Sequence, residues 1–567
     1  MVNHFDHTDS IKKLLIEQHN FWPSPRKEND LFFSGKFNIS GRGIVVEFRF
    51  HDALLLEPPE AFLVDWPHDR NLRNFLGTRH IEANGRLCFY DPSRDVWDAT
   101  TAIRHLSGAI EKINGILNSN VNDPNDEVWL QDFQGYWGGS KIYLASKPSN
   151  GKIYNLWNFK GKKWLVDSQS FPEWMRPEDR YIDRWYAIKL PNTPKPSTEN
   201  WPPSTVSEML LWFSEFMDKP EIFLANILLR EQFKKRDKGT HTLSKGFIFY
   251  DENSDAAQYF ALRFKITEAI EQAMRQKRVK GLASLINSRY YHAKIEIFSP
   301  QRADPHYIHS RNLPDGIKNL KDLYILQVGG GAIGSFLSQE LAALGAGWGK
   351  NAKFTIIDHD RLSTENIGRH LLGFESVGKN KAEELEKHLL SLMPHLKIEG
   401  LNASVLKDKS VFTRKPDIIL NATGSEDVSI AIELLLKNLY GQRPPIIHGW
   451  ILGHGLAAQS FIRRSSGEAC YMCLWEGQGE SRRRRHELSK NPEEDLPVFA
   501  PCHHSFFPFI VNVAVTAANL MIEQLRNHLQ EGKNETLIHY IFQKDKCFNR
   551  SNTSPSKSNT CPICNQE

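Results

Sequence analysis

The stretch YILQVGGGAIG, residues 324–334, decides the fold of the C-terminal half of this chain. Tyr324–Val328 is an apolar run typical of a buried strand, and glycines follow directly at 329, 331 and 334. Residues 335–344 then have a helical pattern. A strand, a G-x-G-x-x-G turn and a helix in this order predict a phosphate-binding site, because the glycines let the backbone approach an anion at the helix N-terminus.

A second apolar strand, residues 353–357, ends at Asp358, which is the expected place for a carboxylate that binds ribose hydroxyls. From residue 323 onward apolar strands alternate with helices, and this indicates a Rossmann-like parallel α/β sheet. Taken alone, these features fit an NAD enzyme or a glycine turn that binds nothing.

The motifs that follow favour another chemistry. Asp360 leads into Ser363-Thr-Glu-Asn366-Ile-Gly-Arg369 and then Val377-Gly-Lys-Asn-Lys381. They resemble the adenylation domain shared by ubiquitin-activating enzymes and the bacterial thiamine and molybdopterin adenylyltransferases. The resemblance implies ATP with Mg²⁺, and it makes Arg369 and Lys381 the cations that stabilise charge when a carboxylate attacks the α-phosphate. The implied nucleotide-binding residues are Gly329, Gly331, Gly334, Asp358, Asp360, Asn366, Arg369 and Lys381.

One position departs from this family. The family has an acid after the fourth strand that holds magnesium, whereas Asn421 and Gly424 stand at the corresponding places here. Either Glu426 or Asp427 substitutes, or the metal is held differently.

Two C-x-x-C pairs lie 91 residues apart in the C-terminal region. Four thiolates suit a closed, tetrahedral structural Zn²⁺ site, with redox-active dithiols as the alternative. Cys502 lies between the pairs and precedes a helical pattern from about residue 509, a setting that lowers a thiol pKa. The family resemblance makes Cys502 the thioester cysteine, against a small buried thiol as the alternative. The predicted zinc ligands are Cys470, Cys473, Cys561 and Cys564.

Cys88 follows Asn84-Gly85, with His80 upstream and Trp97 downstream. This strip resembles the active site of ubiquitin-conjugating enzymes, and it implies that Cys88 receives an acyl group. The sequence departs from that family because Ile-Glu follows His80, so Asn84 is only a candidate to polarise a thioester carbonyl. A cysteine that merely packs at a strand end is the alternative.

Composition bounds the remaining possibilities. The chain has 567 residues and a formal net charge of +4, so it lacks the strongly basic character of nucleic-acid binders. We see no membrane-spanning apolar stretch and expect a cytoplasmic protein. We predict a multi-domain α/β chain: residues 1–120 are an α+β conjugating-like domain, 121–310 a linker or an inactive adenylation-like scaffold, and 311–567 the Rossmann-like adenylation domain with its four-cysteine zinc site. Residues 207–216 and 256–278 have helical patterns.

The two resemblances together are similar to the bacterial conjugating–activating fusions of CBASS anti-phage operons. They imply that a protein C-terminus is adenylated, passed to Cys502 and then to Cys88, and finally joined to a lysine of an acceptor. The implied substrate is a cGAS/DncV-like nucleotidyltransferase, and a homodimer is expected. The alternatives are activation of a bacterial ubiquitin-like modifier or sulfur carrier, or a non-catalytic nucleotide-binding scaffold.

Overall fold

The computed structural model describes residues 7–24, 31–66, 68–76, 80–82, 84–122, 137–169, 175, 179–192, 194, 202–230, 243–251, 259–289, 293–441, 443–477, 483–492, 497–500, 504–532 and 534–564. The chain divides into two compact units, residues 1–171 with 176–304 and residues 172–175 with 305–567. Among the helices in these ranges, none combines the length and the apolar character that crossing a bilayer requires.

The first unit begins with a four-stranded antiparallel sheet in the order β1-β2-β3-β4. The sheet and its helices share one buried core, which includes Ile11, Phe48 and Leu106. This arrangement is α+β, as predicted, whereas the resemblance to a conjugating enzyme stays a prediction. The strands are β1 (Trp22–Pro23), β2 (Leu31–Ile39), β3 (Arg42–Phe50) and β4 (Glu60–Leu63), and the helices are α1 (Thr8–Lys12), α2 (Arg70–Phe75) and α3 (Ala102–Asn122).

The same unit continues into a closed barrel in the order β10-β11-β5-β7-β6-β8-β9. This architecture differs from the open parallel sheet of an adenylation fold, and it is a folded body rather than a linker. Its strands are β5 (Ser140–Leu144), β6 (Ile153–Phe159), β7 (Lys162–Asp167), β8 (Asp179–Lys189), β9 (Leu243–Tyr250), β10 (Tyr259–Ile266) and β11 (Ile295–Arg302). Its helices are α4 (Val206–Ser214), α5 (Pro220–Leu229), α6 (Glu268–Arg275) and α7 (Val279–Arg289).

The predicted helix over residues 256–278 is wrong in its first half, where the chain forms β10. Tyr259 and Ala261 belong to the interior core of the barrel, while Phe260 and Leu262 belong to the core shared with the outer helices. Because both faces of this strand are buried, its apolar residues run together and lose the alternation that marks a strand.

The second unit is built on a seven-stranded sheet in the order β14-β13-β12-β15-β16-β17-β22. The first five are parallel, and their order matches the Rossmann arrangement predicted from the sequence. They are β12 (Tyr324–Val328), β13 (Lys353–Ile357), β14 (Ile398–Leu401), β15 (Ile418–Asn421) and β16 (Ile446–Leu452), followed by antiparallel β17 (Ala457–Arg463) and β22 (Leu537–Ile541).

The helices of this unit are α8 (Pro305–Ser310), α9 (Ala332–Ala343), α10 (Lys381–Leu392), α11 (Ser410–Thr413), α12 (Glu426–Leu439) and α13 (Val511–Leu529). Two short hairpins, β18 (Trp475–Glu476) with β19 (Arg483–Arg484) and β20 (Val498–Ala500) with β21 (His504–Phe506), complete it. The strand order reverses beside β12, and open α/β sheets bind ligands at such a point.

Candidate active site

The glycine turn lies between β12 and α9 and uses its three predicted glycines differently. Gly329 has φ +95°, a conformation that favours glycine. A Cβ on Gly334 would lie 2.0 Å from the carbonyl oxygen of Gly329, so Gly334 permits close packing of the helix against the turn. A Cβ on Gly331 would meet nothing within 4 Å, and Gly331 is the residue that precedes α9 and borders an open cavity.

Two buried polar side chains hold this turn from beneath, and the sequence analysis missed both. The Gln327 Nε2 donates to the carbonyl oxygens of Gly329 and Gly334 at 2.9 and 2.8 Å. The Ser338 hydroxyl donates to the Gln327 Oε1 at 3.0 Å. Gln327 is fully buried, and its amide pairs with the Gly329 carbonyl, while the Gly334 carbonyl also accepts from the Ser338 hydroxyl at 2.7 Å. A polar residue inside an otherwise apolar strand was the available signal.

His370 holds the turn from the other side. Its Nε2–H donates to the Gly330 carbonyl oxygen at 2.7 Å, and its Nδ1 accepts from the Leu372 backbone N–H at 3.0 Å. Both ring nitrogens are thus used by the neutral tautomer, and a proton on Nδ1 would face the Leu372 N–H. Burial, assisted by the charge of Lys381, lowers the pKa of His370 from 6.5 to about 4.

This pKa predicts a loss of local stability in mild acid. The opened segment binds a proton near pH 6.5 and the closed one only near pH 4, so stability is complete above 6.5 and falls as the pH drops toward 4. Between pH 7 and 5 we expect the opening free energy of residues 325–345 to fall by about 2 kcal/mol, measured by hydrogen exchange. In His370→Gln the protection should be weaker at pH 7 and nearly independent of pH. An equal pH response in that variant would contradict this role.

A cavity of about 450 Å³ opens above the glycine turn. Several predicted nucleotide-binding residues meet there. Segments after β14 and β15 and residues near α13 complete its wall. The predicted residues in the lining are Gly329, Gly331, Asp358, Asp360 and Lys381, and the further ones include Ser404, Thr423, Phe507 and Phe509.

The charged groups of the cavity form one connected set. The carboxylate of Asp358 accepts the backbone N–H groups of Gly330 and Asp360 at 2.6 and 2.8 Å, so it fixes the turn and has other lone pairs for a ribose hydroxyl. The Lys381 ammonium lies 3.0 Å from an Asp360 oxygen, and its side chain is 10% exposed. A partly buried ammonium beside a helix N-terminus and a glycine turn is suited to stabilise phosphate charge.

Asn366 and Arg369, which the sequence predicts to bind nucleotide, are not among the described residues that line the cavity. The Asn366 carboxamide oxygen accepts from the Ser363 backbone N–H at 3.1 Å and thereby closes a 3₁₀ turn. The Arg369 guanidinium donates to the Phe507 carbonyl oxygen at 3.0 Å and lies 4.7 Å from the ring centre of Phe509. Arg369 therefore contacts the cavity through these two phenylalanines.

The position where related proteins have an acid is used for loop structure here. The buried Asn421 donates to the Ser429 hydroxyl at 2.9 Å and accepts from the Thr423 hydroxyl at 2.8 Å. Glu426 lies 3.9 Å from Arg484 and, like Asp427, is not among the described residues that line the cavity. The carboxylates that do line it are Asp358 and Asp360, which lie close enough to share a cation.

The four predicted zinc ligands come together in the second unit. Their sulfur atoms lie within 4.8 Å of one another, with Cys470–Cys561 and Cys473–Cys564 separations of 3.5 and 3.6 Å. Tetrahedral Zn–S bonds of about 2.3 Å imply sulfur separations of this size. Backbone N–H groups of Ser558 and Cys564 point to two of the sulfurs at 3.4 Å, which stabilises thiolates. The site fits a structural Zn²⁺ ion.

Of the two cysteines that are predicted to carry the acyl group, the structure describes only Cys88. Cys502 lies outside the described residues. Phe507, five positions later in the chain, lines the cavity above the glycine turn. Cys88 is exposed and borders a surface groove with His80 and Asp91. The Asn84 carboxamide oxygen accepts the Arg86 backbone N–H at 3.0 Å and so serves the turn that precedes Cys88.

Comparisons with known proteins agree with this geometry. Residues 306–563 match the sequence model of the ThiF family. The chain is 26% identical over 505 residues to the "ATP-dependent ubiquitin transferase-like protein Cap2" of Pseudomonas aeruginosa, and this match covers 86% of each chain. It is 24% identical over 480 residues to the protein of the same name from Vibrio cholerae, which covers 78% of each.

Two further comparisons cover smaller shares of the chain. The molybdopterin-synthase adenylyltransferase of Escherichia coli K12 is 30% identical over 163 residues, 28% of this chain and 61% of that protein. Among solved structures, E. coli MccB with succinimide covers 44% of this chain and 68% of its own at 19% identity, with a TM-score of 0.32.

Proposed function

With a ThiF domain in residues 306–563, we propose that this protein adenylates the C-terminal carboxylate of a protein with ATP and passes the acyl group through two cysteines to an amine. The single observation that carries the proposal is the cavity in which the glycine turn, Asp358, Asp360 and Lys381 converge. The family implies the use of ATP, and the Cap2 relatives are named as ATP-dependent ubiquitin transferase-like proteins.

In the first step a carboxylate oxygen bonds to the α-phosphorus and pyrophosphate leaves. The ammonium of Lys381 and the N–H groups around Gly331 stabilise the added negative charge. The pentavalent centre builds charge between two anions, and Mg²⁺ supplies further neutralisation when bound. Asp360, which is more exposed than Asp358, is the residue we assign to the metal.

In the second step the Cys502 thiolate attacks the acyl adenylate and AMP leaves. Support comes from the chain path, since the segment that begins five residues after Cys502 reaches the cavity wall at Phe507 and Phe509. Arg369 bonds to this same segment and thereby ties it to the phosphate site. Transfer to Cys88 and then to a lysine of the acceptor completes the sequence, and each covalent intermediate divides one difficult acyl transfer into easier ones.

The proposal extends to setting and partners. We assign the activated protein to the cGAS/DncV-like nucleotidyltransferases of CBASS anti-phage operons and the reaction to the cytoplasm, and we expect a homodimer. Cys470, Cys473, Cys561 and Cys564 would hold a structural Zn²⁺ that fixes the end of the chain to the region after β17. A ubiquitin-like modifier or a sulfur carrier as substrate, or a scaffold without activity, are outcomes that the experiment separates.

The test is an intact-mass assay with ATP, Mg²⁺ and the nucleotidyltransferase encoded beside the gene. We expect a thiol-sensitive adduct in the wild type, none in Cys502→Ala, and an adduct trapped on Cys502 in Cys88→Ala. Cys547→Ala, which removes a buried thiol, is the control and should behave like the wild type. Absence of both adduct and ATP–pyrophosphate exchange would indicate a scaffold, whereas a wild-type adduct that forms on Cys502 and never reaches Cys88 would favour a sulfur-carrier type of activation.

A further inference from the structure

The segment around Cys88 is a short hairpin with two different faces. Ile81 and Leu87 form its bridge and are 1% and 2% exposed. The backbone N–H of Cys88 donates to the His80 carbonyl oxygen, and that of Glu82 to the Arg86 carbonyl oxygen, both at 2.8 Å. Side chains alternate along extended strands. Since 81 and 87 point inward, the positions at 82, 86 and 88 share the outward face.

On that face a carboxylate lies against the thiol. The Cys88 Sγ is 3.6 Å from the Glu82 Oε1, and the same oxygen is 3.6 Å from the Arg86 guanidinium. Arg86 in turn lies 3.4 Å from Glu60. The Glu82 side chain is 31% exposed, so an incoming group can reach it. The Arg86 guanidinium holds this carboxylate on the same face as the thiol.

The position of Glu82 is unsuited to activating the free Cys88 thiol but suited to acting on a group that approaches a Cys88 thioester. A carboxylate beside a thiol disfavours the thiolate, so Glu82 is not there to activate Cys88 as a nucleophile. Once Cys88 carries an acyl group, its sulfur is neutral and the next reactant is an amine. A lysine amine has an ordinary pKa near 10.4 and arrives protonated, so it needs a base beside the thioester.

We propose that Glu82 is a catalytic residue of the transfer from Cys88: its carboxylate takes a proton from the acceptor amine and gives it to the leaving sulfur. This role rests on the thioester role proposed for Cys88. The ammonium gives one proton to Glu82, and the amine nitrogen bonds to the thioester carbon. The C–S bond breaks with its electron pair on sulfur, and the protonated Glu82, 3.6 Å away, reprotonates the thiolate. The attached nitrogen loses its second proton to water as the C–S bond breaks, so the products are an amide, the Cys88 thiol, the regenerated Glu82 carboxylate and one proton in solvent, and atoms and charge balance.

The experiment follows the discharge of a single thioester on the full-length, zinc-loaded chain. Cys502→Ala is combined with the wild-type hairpin, with Glu82→Gln or with Glu60→Gln, and Cys88 is loaded by exchange with a synthetic glycine-terminated peptide thioester of mercaptoethanesulfonate. Peptide mapping locates the adduct. The adduct is then discharged with free lysine or with hydroxylamine, whose nitrogen is unprotonated at neutral pH.

With lysine at pH 7, Glu82→Gln should react roughly 100-fold more slowly, and the deficit should shrink as the pH rises toward 10. Discharge by hydroxylamine should be unchanged, and so should both rates in Glu60→Gln, which removes the other carboxylate paired with Arg86. Equal losses with both nucleophiles, no loss with lysine, or the same loss in Glu60→Gln would overturn the role of Glu82. Failure of the wild-type hairpin to form a Cys88 adduct would instead overturn the thioester role itself.

Discussion

Replacing Lys381 with alanine is expected to lower ATP–pyrophosphate exchange by about 100- to 1,000-fold, the usual effect of removing one fixed group that stabilises transition-state charge. The ammonium lines the nucleotide cavity and is held 3.0 Å from Asp360 at the start of α10. Asp360 is more than half exposed, so the unpaired carboxylate left behind is solvated and the fold should persist.

Lys387→Ala is the matched control for this measurement. Lys387 is on the same helix, and its ammonium lies 2.7 Å from the Glu384 carboxylate, but its side chain is 69% exposed and points away from the cavity lining. Its exchange rate should equal that of the wild type. A Lys381→Ala protein that is folded and retains full exchange activity would contradict the assignment of this lysine to the α-phosphate.

The sequence predicts the proposed nucleotide site because the main features of that site are short and local. A strand, three glycines and a helix lie within about twenty residues, and their geometry follows from backbone conformation alone. The groups that stabilise the same turn could not be located this way. His370 reaches Gly330 across 40 residues, and Gln327 looks like one polar interruption in an apolar strand until the buried carbonyls beneath it are seen.

In the first unit, the sequence predicts single residues but not how the strands pair. The thiol of Cys88 was identified by its neighbours in the sequence, but its relation to Glu82 depends on a bridge between Ile81 and Leu87 that sets which side chains face outward. The barrel was not predicted at all. Its strands pair across connections of very different length, and two helices, α4 and α5, lie between the paired strands β8 and β9. Strands such as β10 are also buried on both faces. Neither property leaves a periodic pattern.

A buried ion pair behind the zinc site gives the second large effect, and Glu433→Leu is expected to destabilise the second unit by about 3–5 kcal/mol. The Glu433 carboxylate is fully buried and lies 2.8 Å from the fully buried Arg463 guanidinium. Burial alone would raise the pKa of Glu433, but the charge of Arg463 and its hydrogen bond to the carboxylate hold the pKa below its usual value. Among the described residues, the terminal nitrogens of Arg463 have no hydrogen-bond partner, so Glu433 is its main compensation.

Hydrogen exchange in β17 measures this loss in the intact chain. Glu426→Leu removes a partly exposed acid from the same helix and should cost about 1 kcal/mol or less, because its 3.9 Å pair with the partly exposed Arg484 is long and open to solvent. The double variant Glu433→Met with Arg463→Met should recover part of the stability, since it removes the unpaired Arg463 charge, while Arg443, whose guanidinium lies 3.7 Å from the same carboxylate, still loses its partner. If the double variant were less stable than Glu433→Leu, uncompensated burial of Arg463 would not be the cause.

Glu433→Leu should also lower the affinity of the four-cysteine site for zinc. The second Glu433 oxygen accepts the backbone N–H of Tyr471 at 3.2 Å, and Tyr471 directly follows the ligand Cys470. Loss of that acceptor leaves a buried N–H unpaired beside the metal site, and groups that orient metal ligands typically change affinity by about 10- to 100-fold. Zinc should therefore pass to a chelator faster in Glu433→Leu than in Glu426→Leu. Equal release rates would mean that the ion pair stabilises the sheet without positioning the zinc ligands.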